Sequence, residues 1–312
     1  MTRALITGAN GQDGSYLAER LLAEGVEVHA FDLAGESPVP DVETHVVNVA
    51  DLENSQRLVL DLKPDEIYNL AAVSSVARSW AEPTLTAQVN GLAAVGLLES
   101  AHLLQERTGQ PCRFVQASSA EIFGVPDHSP QDEQTPVRPV NPYGAAKAFA
   151  HLMIDVYRHR GLHAVALVLY NHESPRRPHQ FVTRKITSGV AAIANGDAQR
   201  LVLGNLDGSR DWGWAPDYVE AMTLAARAEA ARDYVVATGT SRSVREFLST
   251  AFRCVGVDDW SQYVDVDQTL LRPIDTTDLR GDASRIRTEL GWRPTVGFDE
   301  IVDRMVKADL RR

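Results

Sequence analysis

Thr7-Gly8-Ala9-Asn10-Gly11-Gln12-Asp13-Gly14 joins a short apolar run, Arg3–Thr7, to a stretch with helical spacing, Gly14–Glu24, where Leu17, Leu21 and Leu22 share one face. GxxGxxG at such a junction reads as the strand–turn–helix that binds a dinucleotide. Glycine lets the backbone turn tightly and approach a pyrophosphate, and the helix N-terminus offers it free N–H groups and partial positive charge. Three glycines also suit a plain tight turn. The flanking strand and helix favour cofactor binding by Gly8, Asn10, Gly11, Gln12, Asp13 and Gly14.

Outward from this loop, strands are expected at Glu27–Asp32, Thr44–Asn48, Glu66–Asn69, Arg113–Ala117 and Ala164–Leu169. Helices are expected at Leu52–Leu62, Leu85–Glu106 and Tyr143–Arg160. This alternation predicts an α/β fold, a Rossmann-type doubly wound parallel sheet covered on both faces. Residues 1–170 form the expected dinucleotide-binding domain. After about Asn171 come shorter helices (Gln180–Asn195, Ser243–Val255, Asp299–Lys307), isolated strands and loops rich in Arg, Asp and Gly. Residues 171–312 are therefore expected to form mainly a smaller C-terminal substrate-binding lobe, with some segments returning to the first domain. No Gly/Ser-rich or Pro-rich linker separates the two, which predicts tight packing around a cleft.

At 312 residues the chain exceeds the ~250–300 that one core usually supports, which suits a large domain plus a lobe. It is 44% hydrophobic and 23% charged, enough for a sizeable core. With 31 basic against 42 acidic residues the net charge is −11, which repels nucleic acid and anionic membranes; neither is an expected partner. Two cysteines, Cys112 and Cys254, form no CxxC pair, and there is no HExxH or Cys/His cluster with zinc spacing, so no metal is expected. No run approaches the ~18 apolar residues of a membrane span and no signal peptide is indicated; a cytoplasmic location is expected.

Asp32, ending the second strand, is placed to accept hydrogen bonds from an adenosine ribose, which favours NAD over NADP. Asp51, after the third strand, fits either the adenine amino group or a helix cap. Tyr143-Gly144-Ala145-Ala146-Lys147 is YxxxK, which puts both side chains on one helical face. A free tyrosine has a pKa of about 10, and a neighbouring lysine favours the phenolate. Ser119 and Glu121 follow the fifth strand, beyond whose carboxyl end an α/β sheet binds its ligands. By themselves they read better as a helix cap and a capping-turn acid.

Together, GxxGxxG, Asn69-Leu70-Ala71-Ala72, Ser119-x-Glu121 and YxxxK resemble the extended short-chain dehydrogenases that act on nucleotide-sugars. Gly11-Gln12-Asp13-Gly14-Ser15-Tyr16-Leu17, Tyr170-Asn171-His172-Glu173-Ser174-Pro175-Arg176-Arg177, Gly204-Asn205-Leu206-Asp207 and Arg210-Asp211-Trp212-Gly213 are similar to the GDP-mannose 4,6-dehydratase family across nearly the whole chain. The resemblance implies a catalytic set of Ser119, Glu121, Tyr143 and Lys147, with Ser119 where the family usually has threonine. It implies further cofactor contacts at Asp32, Asp51, Leu52, Leu70, Ala71 and Ala72, with Tyr143 and Lys147 at the nicotinamide end. Substrate contacts are implied at Ser74, Asn171, Glu173, Val182, Lys185, Arg210, Arg272 and Asp275, with Arg184 adding positive charge. The implied cofactor is NAD(P): NADP is expected from the family, while Asp32 and the arginine-free loop 33–40 favour NAD. The implied reaction turns GDP-mannose into its 4-keto-6-deoxy product. A homodimer through the long helices is implied, with a tetramer as the alternative. Departures from the family are Ala120, between Ser119 and Glu121, and Asp275, where glutamate is usual. The competing readings are a 4-epimerase or other C4-oxidising enzyme on another nucleotide-sugar, which Glu121 argues against, and a non-catalytic dinucleotide-binding regulator, which the intact Tyr–Lys pair argues against.

Overall fold

The computed structural model describes residues 2–267, 269 and 278–311. The first half alternates as the hydrophobic pattern predicts: β1 (Arg3–Thr7), α1 (Gln12–Ala23), β2 (Glu27–Asp32), β3 (Glu43–Val46), α2 (Leu52–Leu62) and β4 (Glu66–Asn69). Next come α3 (Val76–Ala81), α4 (Pro83–Ala87), α5 (Ala93–Thr108), β5 (Arg113–Ser119), α6 (Pro142–His159) and β6 (His163–Leu169). The second half runs β7 (Asn171–Glu173), α7 (Val182–Asn195), β8 (Leu201–Leu203), β9 (Ser209–Trp214), α8 (Ala215–Ala226), β10 (Tyr234–Val236), β11 (Ser241–Ser243), α9 (Val244–Arg253), β12 (Val264–Val266), β13 (Asp278–Leu279), α10 (Ser284–Leu290) and α11 (Phe298–Leu310).

Seven strands form one parallel sheet in the order β3-β2-β1-β4-β5-β6-β10. From β1 the chain winds outward to β2 and β3; from β4 it winds the other way. The order therefore reverses between β1 and β4, and the crevice beyond their carboxyl ends is where such sheets bind ligands. One face is covered by α1 and α8, which bury Leu17, Leu21, Tyr218, Met222 and Ala225 with Trp292. The other is covered by α2, α5 and α6, with Phe31, Val59, Leu97, Phe114 and Ile154 at its centre. A separate cluster around Trp212, Phe247, Phe252, Ile301 and Met305 joins α7, α9 and α11 over β9.

The expected helix Leu85–Glu106 is not continuous. It begins as α4, passes through a π-helical turn at Gln88–Leu92 and continues as α5. Two residues explain the widened turn. Asn90 turns inward, accepting from Val73 N (2.8 Å) and donating to Val73 O (3.1 Å). Gly91 brings the turn against α6, where a Cβ would sit 3.2 Å from the Phe149 ring. Such bulges commonly flank functional sites; this one fixes the loop after β4. Among the described residues, no helix is long and apolar enough to cross a membrane.

Candidate active site

The glycine loop is shaped by close backbone approach. Gly8 has φ +72°, and a Cβ on it would lie 3.0 Å from Ala71 Cα. A Cβ on Gly14 would lie 2.3 Å from Gly8 O and 2.6 Å from Ala9 Cα, so only glycine lets α1 start directly over the turn. Asn10 N donates to Asp32 Oδ2 (3.2 Å), and Asn10 Nδ2 donates to Glu36 O (3.0 Å), folding the loop after β2 back over the turn. Asp32 Oδ1 accepts from Ala34 N (3.1 Å). Asp51 is the N-cap of α2, accepting from Asn54 N (3.2 Å), beside the partly exposed Leu52. Leu70, Ala71 and Ala72 line the β4 end of the crevice and are half-buried; Ser74, two residues on, is exposed.

A buried hydrogen-bond chain crosses the ends of β1, β4 and β5. The N–H groups of Leu70 (3.1 Å) and Ala71 (3.0 Å) donate to Thr7 Oγ1, which donates to Asn69 Oδ1 (2.7 Å). Asn69 Nδ2 donates to Gln116 Oε1 (2.8 Å), and Gln116 Nε2 donates to Ala117 O (3.0 Å). The same carbonyl accepts from Lys147 Nζ at 2.8 Å. The glycine-loop strand and α6 are thus tied through one buried polar line.

Tyr143 and Lys147 stand one turn apart near the start of α6, the ammonium 6.0 Å from the phenol ring centroid. Burial pushes the Tyr143 phenol up to about 12, against a lowering hydrogen bond from Ser119. Burial brings the Lys147 ammonium down to about 8. Ser119 ends β5, and its Oγ accepts from Glu121 N at 3.3 Å. Asn141 positions the acid: its Nδ2 donates to Glu121 Oε2 (2.8 Å) while its Oδ1 caps α6 at Gly144 N (2.8 Å). Pro142 then occupies the first helical position, where a missing N–H costs nothing. Gly144 is required as well, since a Cβ there would lie 2.5 Å from Glu121 O. Ser119, Glu121, Tyr143 and Lys147 are therefore brought together.

Asp13 and His172 tie α1 to β7 beneath this group. His172 Nε2 contacts Asp13 Oδ2 at 2.9 Å and Nδ1 contacts Tyr170 O at 2.7 Å, so both ring nitrogens act as donors. Burial lowers the imidazole pKa, but the charge and hydrogen bond of Asp13 outweigh it and the net shift is upward. Burial likewise raises the Asp13 carboxyl, and the His172 charge overcomes it, leaving Asp13 low. Gln12 joins the tie, donating to His172 O (3.1 Å) and accepting from Ser174 Oγ (2.8 Å).

The expected substrate residues are spread over the second half. Asn171 lies on β7, paired with Trp212 of β9. Val182 and Lys185 occupy the first turn of α7, both half-buried. Arg210, on β9, is nearly buried and donates to Ser209 O (2.7 Å). Glu173 is 1% exposed, and its carboxylate is engaged by Thr183 Oγ1 (2.6 Å) and Arg177 (3.3 Å). Arg184 does not add charge to an open cleft: it is buried, paired with Asp309, and donates to Pro175 O. Arg272 and Asp275 lie outside the described residues. Sequence reasoning missed Asn141 and Arg177. Asn before Pro at a helix start signals a cap and would have flagged Asn141. Arg177 acts electrostatically on Tyr143, Asp13 and His172, a position only tertiary structure reveals.

Sheet order, glycine cradle and helical Tyr–Lys pair define the class: the nucleotide-binding α/β proteins of short-chain dehydrogenase/reductase type. Within it, the chain belongs to the GDP-mannose 4,6-dehydratase family, whose model matches residues 5–305. It is 44% identical to GDP-mannose 4,6 dehydratase 2 of Arabidopsis thaliana, over 98% of this chain and 86% of that protein. Its fold is similar to UDP-glucose 4-epimerase of Thermus thermophilus, solved with NAD, at TM-score 0.86 and 28% identity over 99% of both chains. It is also similar to RMD of Pseudomonas aeruginosa, solved with NADPH, at TM-score 0.82 and 23% identity over 100% of this chain and 99% of that one.

Proposed function

We propose that this chain is a nucleotide-sugar 4,6-dehydratase acting on GDP-mannose. The observation that carries this reading is the carboxylate of Glu121, held by Asn141 beside Ser119 and Tyr143. Oxidation at C4 needs only the Tyr–Lys pair; a positioned acid beside it serves elimination. Bound over the glycine cradle, NAD(P) supplies a hydride acceptor at C4 and returns the hydride at C6. The cradle fits a pyrophosphate: glycine at 8 and 14 permits the tight turn, and no side chain caps the α1 N-terminus, which leaves its first N–H groups for an anion. Tyr143 takes the proton of the 4-OH, and Lys147 favours the phenolate. Ser119 holds the C4 oxygen. The 4-ketone acidifies C5–H; Glu121 removes that proton and delivers one to the departing 6-OH. Tyr143 gives its proton to C5 as the hydride reaches C6, so C4 ends oxidised, C6 reduced by the same hydride, the cofactor regenerated and one water lost.

Asp32 and Glu36 face the adenosine end with no Lys or Arg between residues 33 and 42, so a 2′-phosphate would meet only negative charge. NAD is the cofactor this surface suits. Arg210, Lys185 and the N-terminus of α7 offer the diphosphate cationic and N–H contacts. Leu92, Phe149, Leu152 and Val156 are 43–57% exposed along the π-turn and α6. A homodimer through this face accounts for them.

The test incubates purified protein with GDP-mannose, NAD and NADP in parallel and follows product mass. Loss of about 18 mass units without net cofactor reduction is the signature of an internal redox cycle. Glu121→Gln is expected to lower water loss by about 10²–10⁴-fold. An isomer of unchanged mass would establish a 4-epimerase instead.

A further inference from the structure

At the free edge of the sheet, parallel pairing of β2 with β3 sets His29 opposite Glu43 and Phe31 opposite His45. Alternation puts Glu27, His29, Glu43 and His45 on one face. His29 Nδ1 lies 3.1 Å from His45 Nε2 and 3.6 Å from Glu43 Oε2, and His45 Nε2 lies 3.7 Å from Glu43 Oε1. One ligand atom from each of the three residues falls within 4.8 Å of the others. Zinc–nitrogen bonds of about 2.0–2.1 Å in a tetrahedron separate two imidazole nitrogens by roughly 3.3 Å, close to the spacing present. The arrangement around His29 is independent of that spacing. The ring is buried at 3% exposure, and its other nitrogen, Nε2, meets Glu27 Oε1 at 2.8 Å. Glu27 is itself fixed by Arg3 Nε at 2.9 Å. A carboxylate on the far nitrogen sets the tautomer and leaves the Nδ1 lone pair facing His45 Nε2 and Glu43, the usual support behind a metal-bound histidine.

We propose that His29, Glu43 and His45 form a divalent transition-metal site, suited to zinc, that fastens β3 to β2. Two imidazoles and one carboxylate favour zinc and its first-row neighbours over magnesium or calcium, which prefer all-oxygen sets. Glu43 is largely exposed, so the fourth position opens to water. No zinc spacing runs along the chain because the ligands come from two strands and meet only through their register. The site lies on the sheet edge and takes no part in the proposed dehydration.

The test uses full-length, tag-free protein stripped with chelator and titrated with zinc chloride by calorimetry. One zinc per chain is expected, with a rise in Tm that magnesium does not reproduce. His45→Ala should abolish binding and Glu43→Gln should weaken it; both residues are partly exposed, so each variant is expected to fold. Glu27→Gln, behind His29, should weaken binding by about 10–100-fold without removing a ligand. Cobalt(II) should give a tetrahedral spectrum without a thiolate band, which separates this site from binding at Cys112 or Cys254. Absence of stoichiometric zinc, a thiolate band, or affinity unchanged in His45→Ala and Glu43→Gln would overturn the proposal.

Discussion

Lys147 shows what a functional residue costs the fold. Its ammonium is buried, donates to Ala117 O, and carries a pKa brought down to about 8 from 10.5. At about 1.4 kcal/mol per pKa unit, burying it charged costs on the order of 3 kcal/mol. Lys147→Met removes that charge and one hydrogen bond, while Ala117 O keeps its bond from Gln116 Nε2 (3.0 Å), so a net gain of about 1–2 kcal/mol is expected. Melting curves should show a higher Tm at pH 7 while turnover drops at least about 10²-fold. The pH dependence follows. Between pH 8 and 10 the unfolded lysine holds a proton that the folded one has lost, so Lys147 adds stability across this window, against the buried Cys112 thiol, which at about 12 works the other way above pH 9; the methionine variant lacks the lysine's share. Above pH 10, Tyr143 opposes it, because its folded pKa of about 12 exceeds the ordinary 10.0. Equal slopes for wild type and the methionine variant from pH 8 to 10 would sink the argument. Tyr143 and Lys147 stand out at a fixed offset within a local motif, whereas Ser119 and Glu121 are marked only by the family resemblance. Asn69 and Gln116 were not read as a relay, since the hydrogen bond joining them spans separate strands.

At the scale of elements, helix and strand limits follow hydrophobic period closely: β1, β2, β4 and α2 fall on the residues expected. The π-turn after α4 was hidden, because its cause is Asn90 reaching Val73 in another loop. How α1 joins β7 was equally invisible, and it gives a second prediction. His172, raised above 6.5 by Asp13, contributes stability below pH 6.5 that is lost as pH climbs through its folded value. Asp13, held below 3.8, contributes stability above pH 3.8 that is lost as pH falls through its folded value. The stability difference between wild type and His172→Asn should therefore be largest near pH 5–6 and shrink above pH 7; urea unfolding across that range measures it. A constant difference would mean that the pair is not charged. Gly14→Ala tests the start of α1. Its Cβ would meet backbone at 2.3 Å and 2.6 Å, so the helix must shift, at about 1–3 kcal/mol. Dinucleotide affinity should fall with Tm, whereas Gly25→Ala, with open space but a positive φ, should cost stability alone.

At the scale of the whole molecule, the parallel sheet was legible from alternation, but its last strand was not. β10 comes from the second half of the chain and is only three residues long, and α8, from the same region, covers the sheet beside α1. β10 carries no motif, and the family block Asp217-Tyr218-Val219 marks α8 without showing its place on the sheet; both are recruited because β6 would otherwise be an open edge and because Tyr218, Met222 and Ala225 complete the core over β1. The surface shows a similar imbalance. Phe149, Leu152 and Val156 recur at helical spacing along the outer face of α6, with Leu92 of the π-turn nearby, and all four are partly exposed. Burying each such side chain against a twin copy is worth about 1.5–3 kcal/mol at most, so the face supplies a useful part of a dimer's binding energy. Leu152→Glu places a charge at its centre. Sedimentation should show the wild type as a dimer and the variant shifted towards monomer, with Tm falling as the mutual stabilisation is lost. The inward side of α6, where Lys147 reaches Ala117 O, is untouched by this change. Any activity the separated chain retains would then report a site complete within one copy. A variant that sediments unchanged would mean that copies associate, if at all, through another face.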